Sequence, residues 1–465
     1  MTSVGTTTPS NPPRLLIVGG GAAGCLVAIQ VLRRARGPLL IEVAEPRPRL
    51  AEGVAYATGD PAHVLNVPAG RMSALPEQPD DFRRWAGSDA SAFLPRGRYA
   101  QYLRDVLAQA IADAPPQVTF RHRQDRVLSL RARTGGGFTA VLPHRFRRDV
   151  DVVILATGYD GPGSPGDAVD DARSRPDCGD LIVDDVWAAR DTSARAPSTT
   201  SQASPEGPRE LIAIGTGLTF VDQAATHLGR APENTIIGIS RHGWLPHAHR
   251  GHHGEPPPFT ATSDTEVGDM VTFLRGLGDK WQDGVDALRP HIQTIWRQST
   301  DEQRQRFLTE NGAWWSVHRH RMAPEVAERL RSWQSEGRLQ IVRGAVSEVS
   351  RSGSRVVVTT TGGQVISGDA LLNCTGRDGR PRRGLAAELL TRGLATSGPM
   401  GWGLGVDLPS LRVRRSATEA HTSLYAIGPL VLGELFETTA IPEIRAQAAL
   451  IAEAVCSALS PVTPA

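Results

Sequence analysis

Two glycine-rich turns carry the residues best suited to chemistry. The first, Gly19-Gly20-Gly21-Ala22-Ala23-Gly24, follows the apolar run Leu15–Val18; the second, Gly215-Thr216-Gly217-Leu218-Thr219, follows Leu211–Ile214 and starts 196 positions later. A turn of this kind between strand and helix brings bare backbone against a pyrophosphate, and the helix N-terminus adds N–H donors and partial positive charge. In the first turn Gly19 permits the tight bend, Gly21 the approach of the phosphates and Gly24 the close packing of helix on strand. Glu45 lies 21 residues past Gly24, at the end of the next strand, where a carboxylate accepts hydrogen bonds from a ribose diol. The strand after the second turn ends instead in Ser240-Arg241-His242, and a guanidinium there suits a 2′-phosphate. This contrast in charge reads as FAD at the first turn and NADPH at the second. Phe220 stands where the third glycine of the second turn would fall, which predicts looser packing of helix on strand. Arg241 read alone is also compatible with a solvated charge at a strand end.

These residues call for an α/β fold with two Rossmann-like dinucleotide-binding domains and a helical insertion. The expected division is a disordered tail over 1–13, the first part of the FAD domain over 14–190, and a flexible linker over 191–208. An NADPH domain follows over 209–365, with helices at about 265–335, and the FAD domain resumes over 366–465. The stretch 161–209, rich in Gly, Pro, Ser, Ala and Asp, reads as a long crossing that is mostly loop. Two buried strands end in Ala156-Thr157-Gly158-Tyr159 and Cys374-Thr375-Gly376, endings that occur where a chain crosses between such domains. Thr157 and Gly158 are therefore placed beside the first cofactor.

Composition removes several classes. The four cysteines, Cys25, Cys178, Cys374 and Cys456, form no Cys-x-x-Cys pair, which argues against a dithiol-relay reductase and a zinc knuckle. A net charge of +2 gives no reason to expect nucleic acid or an anionic membrane as partner. Lys280 is the single lysine, so an amine nucleophile is disfavoured. His247, His249, His252 and His253 lie in a Gly/Pro-rich loop without supporting Cys or carboxylate spacing, so no metal is expected. No apolar run reaches the ~18 residues of a membrane span, and no signal peptide is evident, so a cytoplasmic location is expected by default.

Further segments carry a resemblance. Gly53–Tyr56, His63–Ser73, Gly215–Asp222, Ser240–Pro246, Trp314-Trp315, His318–Glu325 and Glu437–Arg445 resemble a bacterial FAD/NAD(P)-binding family that includes flavin-dependent amino-acid N-monooxygenases. The likeness spans roughly residues 14–455 apart from the loop 161–209. It implies that NADPH reduces FAD, that dioxygen adds to the reduced flavin, and that one oxygen passes to a substrate amine. It further implies a small amino-acid substrate, with L-aspartate converted to nitrosuccinate the most specific expectation. Asn66, Met72 and Ser73 are then candidates to lie near the isoalloxazine, or else form a Pro-Gly turn of the FAD domain. Arg71, Arg319 and Arg321 are candidates to grip a carboxylate, or else are surface charges. His318 and His320 are candidates for proton transfer, or else a helix-end pair satisfied by carbonyls. Gly428 ends the last strand beside the flavin, yet it is followed by Pro429 where many two-dinucleotide flavoproteins carry Asp. A flavin oxidoreductase without oxygen insertion, and a non-catalytic redox-responsive binding protein, remain as alternatives.

Overall fold

The computed structural model describes residues 12–188, 208–250, 254–377 and 379–459. Most of the expected N-terminal tail and linker, together with His252 and His253, lie outside the described residues.

The run Leu15–Val18 is apolar without alternation, the pattern of a strand covered on both faces, and it forms an interior strand of the first sheet. That sheet is built on β1 (Arg14–Val18), β2 (Leu39–Ala44), β3 (Val118–Arg123) and β7 (Val152–Leu155), with β16 (Val406–Asp407), β17 (Arg412–Arg414) and β18 (Ala420–Ala426). Its order is β16-β17-β18-β7-β1-β2-β3, parallel from β18 to β3. An antiparallel sheet of β4 (Ser129–Ala132), β5 (Phe138–Val141) and β6 (Arg147–Val150) precedes β7. Helix α1 (Ala22–Arg34) packs against α3 (Arg96–Ala112) and α13 (Ile441–Leu459), while α2 (Asp81–Ala86) lies on α3. Helix α12 (Gly384–Thr391) covers β4.

The second sheet repeats the plan. Its order is β11 (Leu339–Arg343), β10 (Thr235–Ser240), β9 (Glu210–Ile214), β15 (Ala370–Asn373), β8 (Ile182–Val183), all parallel. Beside it β12 (Val346–Ser352), β13 (Arg355–Thr360) and β14 (Val365–Gly368) form an antiparallel sheet. Helix α5 (Leu218–Arg230) stands to β9 as α1 stands to β1, and both helices contain 13 residues. Residues 269–335 hold α6 (Asp269–Gly276), α7 (Trp281–Leu288), α8 (Ile292–Gln298), α9 (Asp301–Glu310), α10 (Gly312–Arg319) and α11 (Pro324–Ser335). Trp296, Phe307 and Trp315 of this group pack with Phe436 from the C-terminal part of the chain.

Two readings are refined. The described part of 161–209 lies mostly outside helices and strands, but it also carries α4 (Asp167–Ser174) and strand β8, which joins the second sheet through β15. The chain therefore changes sheets at about residues 158–166 and returns at 376–384. These two crossings pair with each other, Gly163 N–H donating to Gly376 O at 3.0 Å. Packing at the second turn is also not loosened by Phe220. Its ring is fully buried over Gly238 of β10, where an added Cβ would lie 2.8 Å from the ring. One bulky residue on the helix is matched by one absent side chain on the strand.

Candidate cofactor and substrate site

The two glycine turns have nearly the same backbone. Gly19 and Gly215 adopt φ of +101° and +90°, open to glycine alone without strain. Gly21 and Gly217, which open α1 and α5, adopt φ/ψ of −69°/−167° and −77°/−167°. Each turn is flanked by one of the Thr-Gly strand ends. A Cβ at Gly19 would meet Ala156 O at 2.4 Å, and one at Gly215 would meet Cys374 O at 2.7 Å.

The first turn fits a dinucleotide. A Cβ at Gly24 would sit 2.0 Å from Gly19 O, so the helix rests as close to the strand as the fingerprint requires. Gly21 faces Gly53 with no side chain between them. Ala22 and Ala23 form the first turn of α1, where helix N–H groups have no partner within the helix, and Gly428 lies 3.8 Å from Ala23 Cβ by its would-be Cβ. The hydroxyl of Thr157 is buried without a partner among the described residues, and Gly158 borders open space. Glu45 is buried, and its carboxylate accepts from the N–H of Gly20 (2.9 Å) and of Arg47 (3.1 Å). Gly428 N–H donates to Gln447 Oε1 at 2.9 Å, and Gln447 in turn donates to Thr438. No carboxylate takes the place of Asp at Pro429; a side-chain amide on α13 organises that strand end instead.

The second turn opens onto a cleft of ≈ 770 Å³. Gly215, Gly217, Leu218 and Thr219 form one end, Ser240, Arg241 and His242 a flank, and Thr375-Gly376 another wall. Arg241 is exposed at the cleft's flank.

Helix α10 connects this cleft to two further groups because its faces point three ways. Ala313, Ser316, Val317 and then His320 line the cleft. Trp315 and Arg319 face Glu437: Trp315 Nε1–H donates to Oε1 at 2.8 Å, and Arg319 Nε lies 3.2 Å from Oε2. His320 Nε2 also approaches Oε2, at 3.3 Å. Glu437 is buried and holds φ of +58°, a backbone state costing about 1–2 kcal/mol for a residue with a side chain. Burial alone would raise its pKa, but His320, Arg319 and the hydrogen bonds from His320 and Trp315 outweigh it and hold the carboxyl well below the usual range. Tyr159 is pushed up to about 12, first by burial and then by the Glu437 charge.

On the third face Trp314 stacks on His318 at 3.7 Å, and His318 Nδ1 meets Trp314 O at 2.7 Å. Burial lowers the pKa of His318, which packs against His247 and Trp281 as a ring among rings.

The three candidate arginines converge. Arg71 forms a bidentate pair with Asp286 at 2.9 and 3.0 Å. Arg321, at 3 % exposure, donates to Gln282 Oε1 at 2.8 Å and lies over the Trp281 ring, while its Nε has no partner among the described residues. Burial pushes its pKa down to about 10; Asp286 opposes that shift, and Arg319, Arg71 and Arg289 add to it. Arg289 is itself matched by Glu443 at 2.8 and 3.0 Å. The other candidates from 66–73 have partners of their own. Asn66 offers its carbonyl to His249 (2.9 Å), Met72 is buried in the core of the first sheet, and the Ser73 hydroxyl closes a turn onto Gln78 O (2.7 Å).

Comparison with known proteins agrees with this geometry. Residues 16–160 match a family model described as FAD-NAD(P)-binding. No curated protein sequence matches the chain. Among solved structures, ornithine N-hydroxylase from Kutzneria sp. 744 superposes with a TM-score of 0.63 at 15 % identity, covering 97 % of this chain and 100 % of that one. The reduced form of ornithine hydroxylase from Pseudomonas aeruginosa gives 0.61 at 14 %, covering 97 % and 100 %. The FAD-bound cadaverine monooxygenase of Erwinia amylovora gives 0.58 at 10 %, covering 95 % and 94 %. The chain has the fold of these flavin-dependent N-hydroxylases. The Kutzneria enzyme was solved with reduced FAD, NADP+ and L-ornithine.

Glu437, Gln282 and Asp286 contact the candidate residues Arg319, Arg321 and Arg71 without being candidates from the sequence themselves. Glu437 stood in a segment used only for resemblance, and no local pattern marks Gln282 or Asp286 on α7.

Proposed function

We propose that the protein is an FAD- and NADPH-dependent monooxygenase that N-oxygenates a small amino acid, with L-aspartate to nitrosuccinate as the specific reaction. The observation that carries this reading is Arg321, a buried guanidinium whose hydrogen bond goes to a neutral amide and whose Nε is left unpartnered. Asp286 acts on this guanidinium through charge, but a buried charge with no hydrogen-bonded carboxylate is costly unless a ligand supplies one. An amino-acid carboxylate meets that need through charge-assisted bonds.

Bound FAD, reduced by NADPH, supplies oxygen activation. The chain's residues then have separate tasks. The turn Gly19–Gly24, with Glu45 and Thr157, holds FAD, and Gly215–Thr219 with Arg241 holds NADPH. Arg321, supported by Arg71 and Gln282, orients the substrate carboxylate. Trp281, Trp314 and Trp315 help keep water from the reacting centre. NADP selectivity rests on Arg241, and the substrate assignment rests on the sequence resemblance together with the arginine group.

The test is incubation of purified protein with NADPH, oxygen and a panel of amino acids. NADPH and oxygen consumption accelerated by L-aspartate, with nitrosuccinate or released nitrite by mass spectrometry and colorimetry, is expected. Anaerobic reduction of an added acceptor with no oxygenated product from any amine would replace this reading with a plain flavin oxidoreductase.

A further inference from the structure

A monooxygenase acting on an amine meets an acid–base problem. Near neutral pH an aliphatic amine is an ammonium ion, and its nitrogen lone pair is unavailable until a proton is removed. The fold places one imidazole suited to that removal. His320 ends α10 with its side chain 39 % exposed on the wall of the nucleotide cleft. Its other side is anchored: Nε2 lies 3.3 Å from Glu437 Oε2, while Nδ1 faces the Ser316 hydroxyl at 3.5 Å. The carboxylate makes Nε2 the protonated nitrogen, leaving the Nδ1 lone pair on the side away from Glu437. Glu437 is fixed in turn by Trp315 Nε1–H and by Arg319, on a backbone strained at φ +58°.

We propose that His320 is the general base of the reaction and that Glu437 is its positioning residue. The proposal rests on the amine-oxygenating reading above. The substrate ammonium N–H bond breaks, its electron pair stays on nitrogen, and the proton bonds to Nδ1 of His320. Glu437 balances the resulting imidazolium, as a buried carboxylate does for a catalytic histidine generally. The Nδ1–H bond then breaks, its electron pair staying on the ring nitrogen and the proton passing to water in the cleft. Among the described residues, the groups beside Glu437 include Arg319 from α10 and Tyr159, whose hydroxyl burial pushes up to about 12 and so keeps protonated at neutral pH. His318, stacked on Trp314 with Nδ1 on a backbone carbonyl, is not placed for this task.

The test uses the flavin-loaded full chain and the pH profile of product formation with a saturating amine substrate. His320→Asn is expected to lower the yield of N-oxygenated product per NADPH at least tenfold at pH 7, to recover as pH rises and the amine deprotonates unaided, and to be rescued in part by added imidazole. Glu437→Gln is expected to shift the profile in the same direction by a smaller factor, with Glu437→Asp between it and the native chain. His320 is half-exposed, so His320→Asn reports even if the buried Glu437 variants fold poorly. A His320→Asn protein with the native pH profile and no response to imidazole overturns the proposal. A native protein that oxidises NADPH without oxygenating any amine overturns the underlying reading instead.

Discussion

Arg321 offers the sharpest prediction because its effects on stability and on catalysis should have opposite sign. Its pKa falls from 12.5 to about 10, first through burial and then through Arg319, Arg71 and Arg289 against the opposing pull of Asp286. At 1.36 kcal/mol per unit, that shift disfavours the charged side chain in the folded protein by about 3 kcal/mol. A base with a depressed folded pKa is destabilising throughout the range below that pKa. The cost is relieved only as pH climbs from about 10 toward 12.5, so at pH 7 all of it is present.

Arg321→Met keeps a long apolar stem over Trp281 and removes the charge. The hydrogen bond to Gln282 is lost, at roughly 1 kcal/mol, but Gln282 Oε1 is not left bare because it also accepts from Arg250 N–H at 3.1 Å. The expected net effect is a ligand-free protein more stable by about 1–2 kcal/mol, read as a melting temperature raised by roughly 1–4 °C. Without its charge-assisted bonds, worth roughly 1.5–3 kcal/mol, the substrate carboxylate should bind some 10- to 100-fold more weakly, seen in KM and in the dissociation constant from equilibrium titration. Arg321→Lys restores charge but not the planar fork and should recover little of that binding. A variant that melts lower with an unchanged KM would mean that Arg321 is a packing residue and would refute the argument.

Other perturbations separate the two turns and the contact between the halves. Gly24→Ala, whose Cβ would lie 2.0 Å from Gly19 O, should yield protein without bound flavin, checked by visible absorbance; Gly217→Ala, facing open space, should fold normally yet raise KM for NADPH. Arg241→Ala should raise KM for NADPH roughly 10- to 100-fold while sparing NADH, measured by initial rates with each nucleotide. Asp222→Ala removes a mostly buried partner 3.0 Å from Arg96 and joining α5 to α3; it should cost about 3 kcal/mol in denaturant unfolding, because the remaining guanidinium keeps its burial without its counter-charge.

The parts legible in the sequence are those where backbone geometry imposes a residue type at a fixed offset. Gly19 and Gly215 must bend the same way at the same distance from a strand end, and the 13-residue helices that follow confirm how closely the two units repeat. Strand β8 was hidden because two residues pairing at a sheet edge leave no periodicity to read. Phe220 misled for a related reason: the residue that accommodates it, Gly238, lies on another strand, and the fit between them is a fact of packing. The site divides along the same line. Arg71, Arg319 and Arg321 could be named from residue type, but their meaning depends on which of them the fold supplies with an acid. Asp286 takes Arg71, Glu437 takes Arg319, and Arg321 is left on a glutamine. Glu437 itself draws its partners from a helix more than 100 positions away, Trp315 being 122 residues distant. A carboxylate held so firmly, with its backbone strained, is oriented for some neighbour that needs it, and of Trp315, Arg319 and His320 it is His320 that lines the cleft. The selective information in this chain therefore lies in the pairing of common charged residues, with the glycine turns marking where that pairing takes place.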